Sequence, residues 1–191
     1  MKNNPTTAEI FTDIPSVAFR RKKNLENFLV KRDILPPEKP VKSTSPCGNC
    51  KLCPLIKTDT SVSNLQAKIT KQIITGGNCK TTGLIYAATC KKHQLLYVGH
   101  TGKSLSSRFS NHRYDINKRP ENNELASHFA VDHDMDRDLE IQIVESGISD
   151  KRERVMKEDK WICRLQTLQP QGLNADCGPY AKETYEIWKK T

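Results

Sequence analysis

Four side chains that can act on a phosphate group lie close together in this sequence: Tyr86, Tyr97, Arg108 and His112. A guanidinium group can hold a phosphate through two parallel hydrogen bonds. Tyrosine and histidine can position a water molecule or take its proton, and the ordinary pKa of histidine suits that task better. The combination indicates a site for phosphate chemistry.

Glu158 interrupts the hydrophobic pattern of a predicted helix. It lies one turn after Val155 and one turn before Ile162, inside the apolar stripe. A carboxylate in such a stripe costs free energy unless it is paired or bound to a cation, and departures of this kind are often functional. Two interpretations stay open at this point: a cation ligand, or an ion pair with Arg108 or a lysine.

A predicted β-hairpin carries both tyrosines. Its two strands have apolar and β-branched composition and are joined by five residues: 84–89 and 95–99. If the two lysines inside the connection form the turn, Cys90 pairs with His93 and Tyr86 pairs with Tyr97, so the tyrosines share one face. Tight turns prefer Asn-Gly or Asp-Gly to Lys-Lys. We therefore expect Cys90 and His93 to help hold the hairpin.

Caps and periodicity predict the elements that follow the hairpin. They are a helix at 105–118 capped by Ser104, a short helix at 124–132 capped by Asn122 or Asn123, a strand at 139–144, and a helix at 150–168 capped by Ser149. On the first helix, Leu105, Phe109 and Ile116 form the buried stripe, and Arg108 and His112 fall along one edge of it. That edge lets both side chains reach a cleft.

Composition limits the size of the core and the kind of partner. With 191 residues and 36% hydrophobic content, the chain can hold one compact domain with a loose flank. Its formal charge of +9 favours an anionic partner, and nucleic acid is preferred to a membrane surface because no basic amphipathic helix is evident. No apolar run approaches the length of a membrane span, and no motif indicates a small-molecule cofactor.

The cysteines are clustered rather than spread as a disulfide framework, and the sequence starts without an apolar signal segment. This pattern favours a reducing, intracellular compartment and metal ligation. Cys47, Cys50 and Cys53, with Cys79 downstream, have the spacing of a zinc site. Free structural thiols are the alternative, and the remote fourth cysteine does not suit a ferredoxin iron–sulfur cluster.

The chain divides into four predicted segments: a basic, proline-rich arm at 1–46, a cysteine-containing connector at 47–83, a domain with the phosphate-directed residues at 84–176, and a helical tail at 177–191. The prolines favour a partly extended arm. The run at 20–23 is either a nuclear-localisation or phosphate-contacting patch, or a solvated charged turn. Within the connector, 57–83 is predicted to be a linker or a weakly ordered strand.

These residues, in this order, resemble the GIY-YIG nuclease family. The resemblance covers 84–176 and rests on these motifs: Leu84-Ile85-Tyr86, Tyr97-Val98-Gly99, Thr101, Arg108, His112, Glu158 and Gly172-Leu173-Asn174. Leu84 departs from the family pattern, which has glycine there. The resemblance implies an α+β fold, in which helices flank a small three-stranded antiparallel sheet, and a metal-dependent DNA endonuclease.

The same resemblance implies roles for individual residues. Glu158 binds one Mg²⁺ or Mn²⁺ ion, Arg108 holds the scissile phosphate, and Asn174 is a positioning residue. The proton of water goes to one of three candidates: Tyr86, Tyr97 or His112. Three further residues are expected to contact nucleic acid: His100, Lys103 and Arg113.

More narrowly, the chain resembles the endonuclease region of Penelope-like retroelements, where two cysteines and two histidines form a zinc-finger-like set. Four residues hold the matching positions here: Cys90, His93, His128 and His133. Histidine in the second position is a departure, but Zn²⁺ accepts one thiolate with three imidazoles. The implied zinc is structural, and the alternative for His128 and His133 is an ordinary helix surface.

The segment 10–54 also resembles the connector that joins reverse transcriptase to nuclease in such elements. A reverse transcriptase is in cis in those elements and is absent here, so we expect a truncated element, a domesticated derivative or a gene fragment. The competing hypothesis is a zinc-stabilised basic module that binds nucleic acid without cutting it. The complete set of candidate catalytic residues favours the nuclease, because drift is not expected to spare all of them.

Overall fold

A computed structural model describes residues 42–178 and Ala181. Most of the predicted arm, its basic run at 20–23, and the predicted helix of the tail lie outside these residues. Among the residues that are described, no helix combines the length and the apolar character needed to cross a membrane.

The described part of the chain contains seven strands and four α-helices, numbered here in chain order. The strands are β1 Thr44–Ser45, β2 Ser61–Asn64, β3 Ile69–Gln72, β4 Gly77–Asn78, β5 Leu84–Cys90, β6 Leu95–Thr101 and β7 Leu139–Ser146. The helices are α1 Leu105–Lys118, α2 Glu124–Phe129, α3 Met135–Asp138 and α4 Lys151–Leu165. Two 3₁₀ turns occur at Cys53–Leu55 and Pro120–Asn122.

An antiparallel sheet with the order β6-β5-β7 lies at the centre, with helices on both sides. This confirms the expected α+β fold. Side chains of the middle strand, β5, alternate between two faces. On one face Tyr86 and Ala88 pack in a core with Phe109 of α1, and on the other Ile85 packs in a core with Trp161 of α4. Every element that positions the site therefore packs on one sheet.

The register of the hairpin differs from the prediction by two residues. Cys90 pairs with Leu95 rather than His93, and Tyr86 pairs with Gly99 rather than Tyr97. The reason is a four-residue loop, closed by Gln94, which adopts a left-handed backbone with φ of 57° and donates its N–H to the Cys90 carbonyl at 2.8 Å. A shift of two residues preserves the face of each side chain. Tyr86 and Tyr97 therefore do share one face, as predicted.

Helix α1 begins and ends as predicted, and the Ser104 hydroxyl accepts a hydrogen bond from the Ser107 N–H. Helix α4 differs at both ends. Its N-cap is Asp150, whose carboxylate accepts the Glu153 N–H at 2.8 Å, and not Ser149. It ends at Leu165 because Gln166 turns left-handed, with φ of 49°. Helix α2 ends at Phe129, earlier than the predicted 132.

The segment predicted as a linker or a weakly ordered strand contains a regular antiparallel hairpin, β2–β3. Val62 of this hairpin is buried in the same core as Trp161. Before and after this hairpin, Lys57 N–H donates to the Ile141 carbonyl at 3.0 Å and Ile74 N–H donates to the Val144 carbonyl at 3.0 Å. The connector thus covers the free edge of β7. Sequence reasoning missed this because the segment has little periodicity of its own.

Candidate active site and metal centres

Tyr86 lies at the centre of a buried hydrogen-bond group that includes two side chains of α1. Its hydroxyl is 2.7 Å from Nε2 of His112 and accepts a hydrogen bond from Nε of Arg108 at 3.2 Å. Arg108 and His112 are one turn apart, so the predicted edge of α1 directs both to the same place. Tyr86 and His112 have no exposed surface, whereas Arg108 is partly exposed.

Gly99 allows Tyr86 and Tyr97 to approach each other closely. A Cβ atom at Gly99 would lie 2.5 Å from the Tyr86 hydroxyl oxygen and 2.8 Å from Cε1 of Tyr97, well inside van der Waals contact. The two ring centroids are 6.3 Å apart. The glycine is therefore required by the packing of the two tyrosines and not by an unusual backbone conformation.

Asn174 forms hydrogen bonds with the backbone of the strand that carries Tyr97 and Gly99. Its Oδ1 accepts the Val98 N–H at 3.0 Å, and its Nδ2 donates to the Val98 carbonyl at 2.9 Å. The Thr167 hydroxyl donates to the same Oδ1 at 2.8 Å. These bonds satisfy backbone groups on the free edge of β6. Asn174 contacts the backbone that carries the tyrosine rather than the Tyr86 group itself.

Glu158 lies on α4, the helix that packs on the opposite face of the sheet from the Tyr86 group. Its Oε2 is 2.6 Å from Nδ1 of His100 on β6. Burial is the main cause that raises the pKa of Tyr86 and of Tyr97, and the nearby charge of Glu158 raises both pKa values further. Of the two interpretations of Glu158, the ion pair with Arg108 or a lysine is not formed within the described residues. Its partner is a histidine from the adjacent strand.

Burial also sets the protonation states in the Tyr86 group. Burial raises the pKa of Tyr86 to about 12, while the positive charge of Arg108 acts in the opposite direction. Burial, together with the charge of Arg108, lowers the pKa of His112 to about 3. At neutral pH Tyr86 is therefore a phenol and His112 a neutral imidazole. Because Nε2 of His112 is engaged by the Tyr86 hydroxyl, we expect His112 to act on a reacting group through Tyr86.

We expect buried His112 to make the fold sensitive to acid. Its pKa is about 3 in the folded chain and about 6.5 in an unfolded chain. Only the unfolded state takes up this proton between those two values. The free energy of unfolding should therefore fall as the pH is lowered from 7 toward about 4, by on the order of 3 kcal/mol. His112→Gln removes the titrating group and should show a smaller fall.

Urea unfolding across this pH range measures the effect in both proteins. The rest of the chain is the same in both proteins, so the quantity to compare is the difference between the wild-type and His112→Gln curves. Parallel curves would show that His112 takes up its proton equally in the folded and unfolded chains, which contradicts the prediction.

The three residues predicted to contact nucleic acid have different surroundings. His100 is hydrogen-bonded to Glu158. Arg113 donates two hydrogen bonds to Asp136, at 2.9 and 2.6 Å, so its guanidinium is already paired. Lys103 is exposed between β6 and α1 and has no ion-pair partner within the described part of the chain. Of the three, Lys103 presents an available positive charge.

Four cysteines of the connector bring their sulfur atoms together: Cys47, Cys50, Cys53 and Cys79. The Sγ atom of Cys53 is 3.7, 3.5 and 3.9 Å from the other three, in chain order. Tetrahedral Zn–S bonds of about 2.3 Å place sulfur atoms about 3.8 Å apart. Cys79 has no exposed surface. The donor set and its spacing therefore suit a structural Zn²⁺ ion.

A second cluster joins the hairpin loop to the segment around α2: Cys90, His93, His128 and His133. Nδ1 of His93 is 3.4 Å from Nε2 of His128 and 3.1 Å from Nε2 of His133. Tetrahedral Zn–N bonds of about 2.0–2.1 Å place nitrogen atoms about 3.3 Å apart. His133 also donates its Nδ1–H to the Val131 carbonyl, as metal-binding histidines usually do. The geometry suits one Zn²⁺ ion rather than an ordinary helix surface.

Comparisons with known proteins give one family match and two similar structures. Residues 82–174 match the family model described as the GIY-YIG catalytic domain. The catalytic domain of homing endonuclease I-TevI is 23% identical, with a TM-score of 0.42, and the match covers 50% of this chain and 99% of that chain. A point mutant of the catalytic domain of intron endonuclease I-TevI is 22% identical, with a TM-score of 0.43, covering 50% and 95%. No curated protein sequence matches.

Proposed function

Because residues 82–174 match the family model of the GIY-YIG catalytic domain, we propose that this chain is a metal-dependent endonuclease that hydrolyses phosphodiester bonds in DNA. One observation carries the proposal. Tyr86, Arg108 and His112 form one hydrogen-bonded group, and Glu158 is near enough for its charge to raise the pKa of Tyr86. A guanidinium, a phenol and a carboxylate therefore lie close together near the edge strand β6.

Glu158 is the proposed ligand of the catalytic Mg²⁺ or Mn²⁺ ion. Its side chain is 18% exposed, and no lysine or arginine neutralises it within the described residues. Carboxylate oxygens are the ligands that these ions prefer, and a single carboxylate leaves coordination positions for water and phosphate. Such an ion, when bound, polarises the phosphate and stabilises the leaving oxygen.

Arg108 is proposed to hold the scissile phosphate. Its Nε donates a hydrogen bond to Tyr86, and its terminal nitrogens can donate hydrogen bonds to two phosphate oxygens. Tyr86 is proposed to position the attacking water and, in its phenolate form, to take the proton of that water. The charge of Arg108 stabilises this phenolate form. His112 holds the Tyr86 hydroxyl from the other side. Tyr97 and Asn174 keep the strand and the tyrosine rings in place.

Zn²⁺ in each of the two clusters is proposed to be structural. The connector cluster includes Cys79, whose carbonyl accepts the Ser106 N–H of α1 at 2.9 Å. An ion bound there would therefore stabilise the position of the first turn of the helix that carries Arg108. The second cluster would tie the hairpin loop at His93 to the segment that contains His128. Neither cluster contains a residue of the Tyr86 group.

We also propose descent from a Penelope-like retroelement and a nuclear location. The support for descent is the order of the second cluster, in which two ligands lie between the tyrosine motifs and two histidines follow, as in those elements. The support for the nucleus is the basic run at 20–23 together with a DNA substrate.

Nicking of supercoiled plasmid DNA tests the proposed activity. The full chain should convert supercoiled DNA to open circles with Mg²⁺ or Mn²⁺ and should leave it intact with EDTA. The formal charge of +9 also suits a module that only binds nucleic acid. In the alternative outcome, the protein retards the DNA in a gel, less so at high salt, without cutting it under any metal condition. That result would favour the binding module and would contradict the proposed nuclease activity.

A further inference from the structure

His100 and Tyr97 lie on opposite faces of β6, although they are only three positions apart in the sequence. Tyr97 packs in the core that contains Phe109 of α1, whereas Val98 packs in the core that contains Trp161 of α4. Side chains alternate along a strand, so His100 is on the α4 side with Val98. It therefore faces the helix that carries Glu158.

The contact between His100 and Glu158 is short and partly shielded from water. Nδ1 of His100 lies 2.6 Å from Oε2 of Glu158, and the side chains are 28% and 18% exposed. An N–H donor to a carboxylate makes a strong, charge-assisted hydrogen bond. Within the described residues, no other side chain forms a hydrogen bond with Glu158. The direction of this carboxylate is therefore set by His100.

The turn of α4 that precedes Glu158 also contacts the end of β6. Arg154 donates hydrogen bonds to the carbonyls of Ile148 and Ser149, at 2.9 and 2.6 Å. A Cβ atom at Gly102 would lie 2.9 Å from Nη2 of Arg154, so backbone and guanidinium are in close contact there. Helix α4 is thus aligned with the end of β6 at Arg154, and the hydrogen bond from His100 acts on a helix whose position is already defined.

We propose that His100 is a positioning residue for the metal ligand Glu158. By holding Oε2, it fixes the orientation of the carboxylate that is proposed to bind the metal ion. Hydrogen bonds of this kind orient metal ligands, and their loss typically costs about 10- to 100-fold in metal affinity or activity. This inference rests on the proposed function. It replaces the expected contact of His100 with nucleic acid.

Two substitutions separate a positioning role from other roles. His100→Ala removes the donor, whereas His100→Asn places an amide N–H where Nδ1 was. Binding of Mn²⁺ to the full, zinc-loaded chain without DNA is measured by electron paramagnetic resonance, and nicking is measured against Mn²⁺ concentration. Lys160→Ala, an exposed position on α4, is the control. Circular dichroism checks that each variant is folded.

We expect His100→Ala to weaken Mn²⁺ binding by about 10-fold or more and to shift the Mn²⁺ concentration for half-maximal nicking by the same factor. The nicking rate at saturating Mn²⁺ should change much less. His100→Asn should bind and nick close to wild type, as should Lys160→Ala. A general loss of stability would not be reversed by His100→Asn. It would also not weaken Mn²⁺ binding while leaving the nicking rate at saturating Mn²⁺ nearly unchanged.

Wild-type Mn²⁺ affinity in His100→Ala would overturn the proposal. So would a failure of His100→Asn to rescue binding, because His100 would then act as a metal ligand through its other nitrogen. If the wild-type chain nicks DNA and His100→Ala is normal, the inference fails while the proposed function stands. If the wild-type chain neither binds Mn²⁺ nor nicks DNA, the proposed function fails and this inference fails with it.

Discussion

Glu158→Gln is expected to abolish metal-dependent nicking, with a loss of about 10³-fold or more in rate. A catalytic metal ion contributes several kcal/mol of transition-state stabilisation, and each 1.36 kcal/mol corresponds to about a factor of ten. The amide keeps the size of the side chain, and its oxygen can still accept a hydrogen bond from His100. The substitution therefore removes the negative charge and changes little else. Initial rates on supercoiled plasmid with Mg²⁺ and with Mn²⁺ measure the effect.

Arg108→Ala is the matched comparison for Glu158→Gln. It should also lose most nicking, because the phosphate and the Tyr86 phenolate lose their cationic partner, but it should still bind Mn²⁺. Glu158→Gln should not bind Mn²⁺ at this site. If Glu158→Gln nicks DNA at the wild-type rate, the metal is held elsewhere and the assignment of Glu158 is wrong.

Cys53→Ser is expected to release one Zn²⁺ per chain and to destabilise the fold by on the order of 4 kcal/mol. The sulfur of Cys53 lies within 3.9 Å of the other three sulfur atoms, so its loss removes a ligand from the middle of the cluster. Leu52, Leu55 and Cys79 belong to the core that also contains Tyr86. Loss of zinc should therefore loosen the core on the active-site side.

Zinc content of the purified protein and urea unfolding test this expectation. Cys163→Ser is the control, because Cys163 is a buried cysteine of α4 that belongs to neither cluster. It should keep the wild-type zinc content whatever its effect on stability. Unchanged zinc content and unchanged unfolding of Cys53→Ser would show that the cysteines of the connector are free structural thiols.

Local sequence was enough to predict most elements of the domain. The helix Leu105–Lys118 and its Ser104 cap were predicted correctly, because a cap and an apolar period act over a few residues. The register of the β5–β6 hairpin was wrong by two residues. It depends on a left-handed turn at Gln94, which nothing in the residue types of the loop indicates. The even shift kept both tyrosines on the predicted face.

The sequence by itself determined which chemical groups are present, their order, and which of them share a helix edge or a strand face. Arg108 and His112 meet Tyr86 because of helical spacing and strand alternation, which are properties of local geometry. Only the tertiary structure decided that Glu158 contacts His100 and that the ligand atoms of the two candidate metal clusters come together. These contacts join residues far apart in the chain, and they exist because α4, the connector and the segment around α2 all pack around one central sheet.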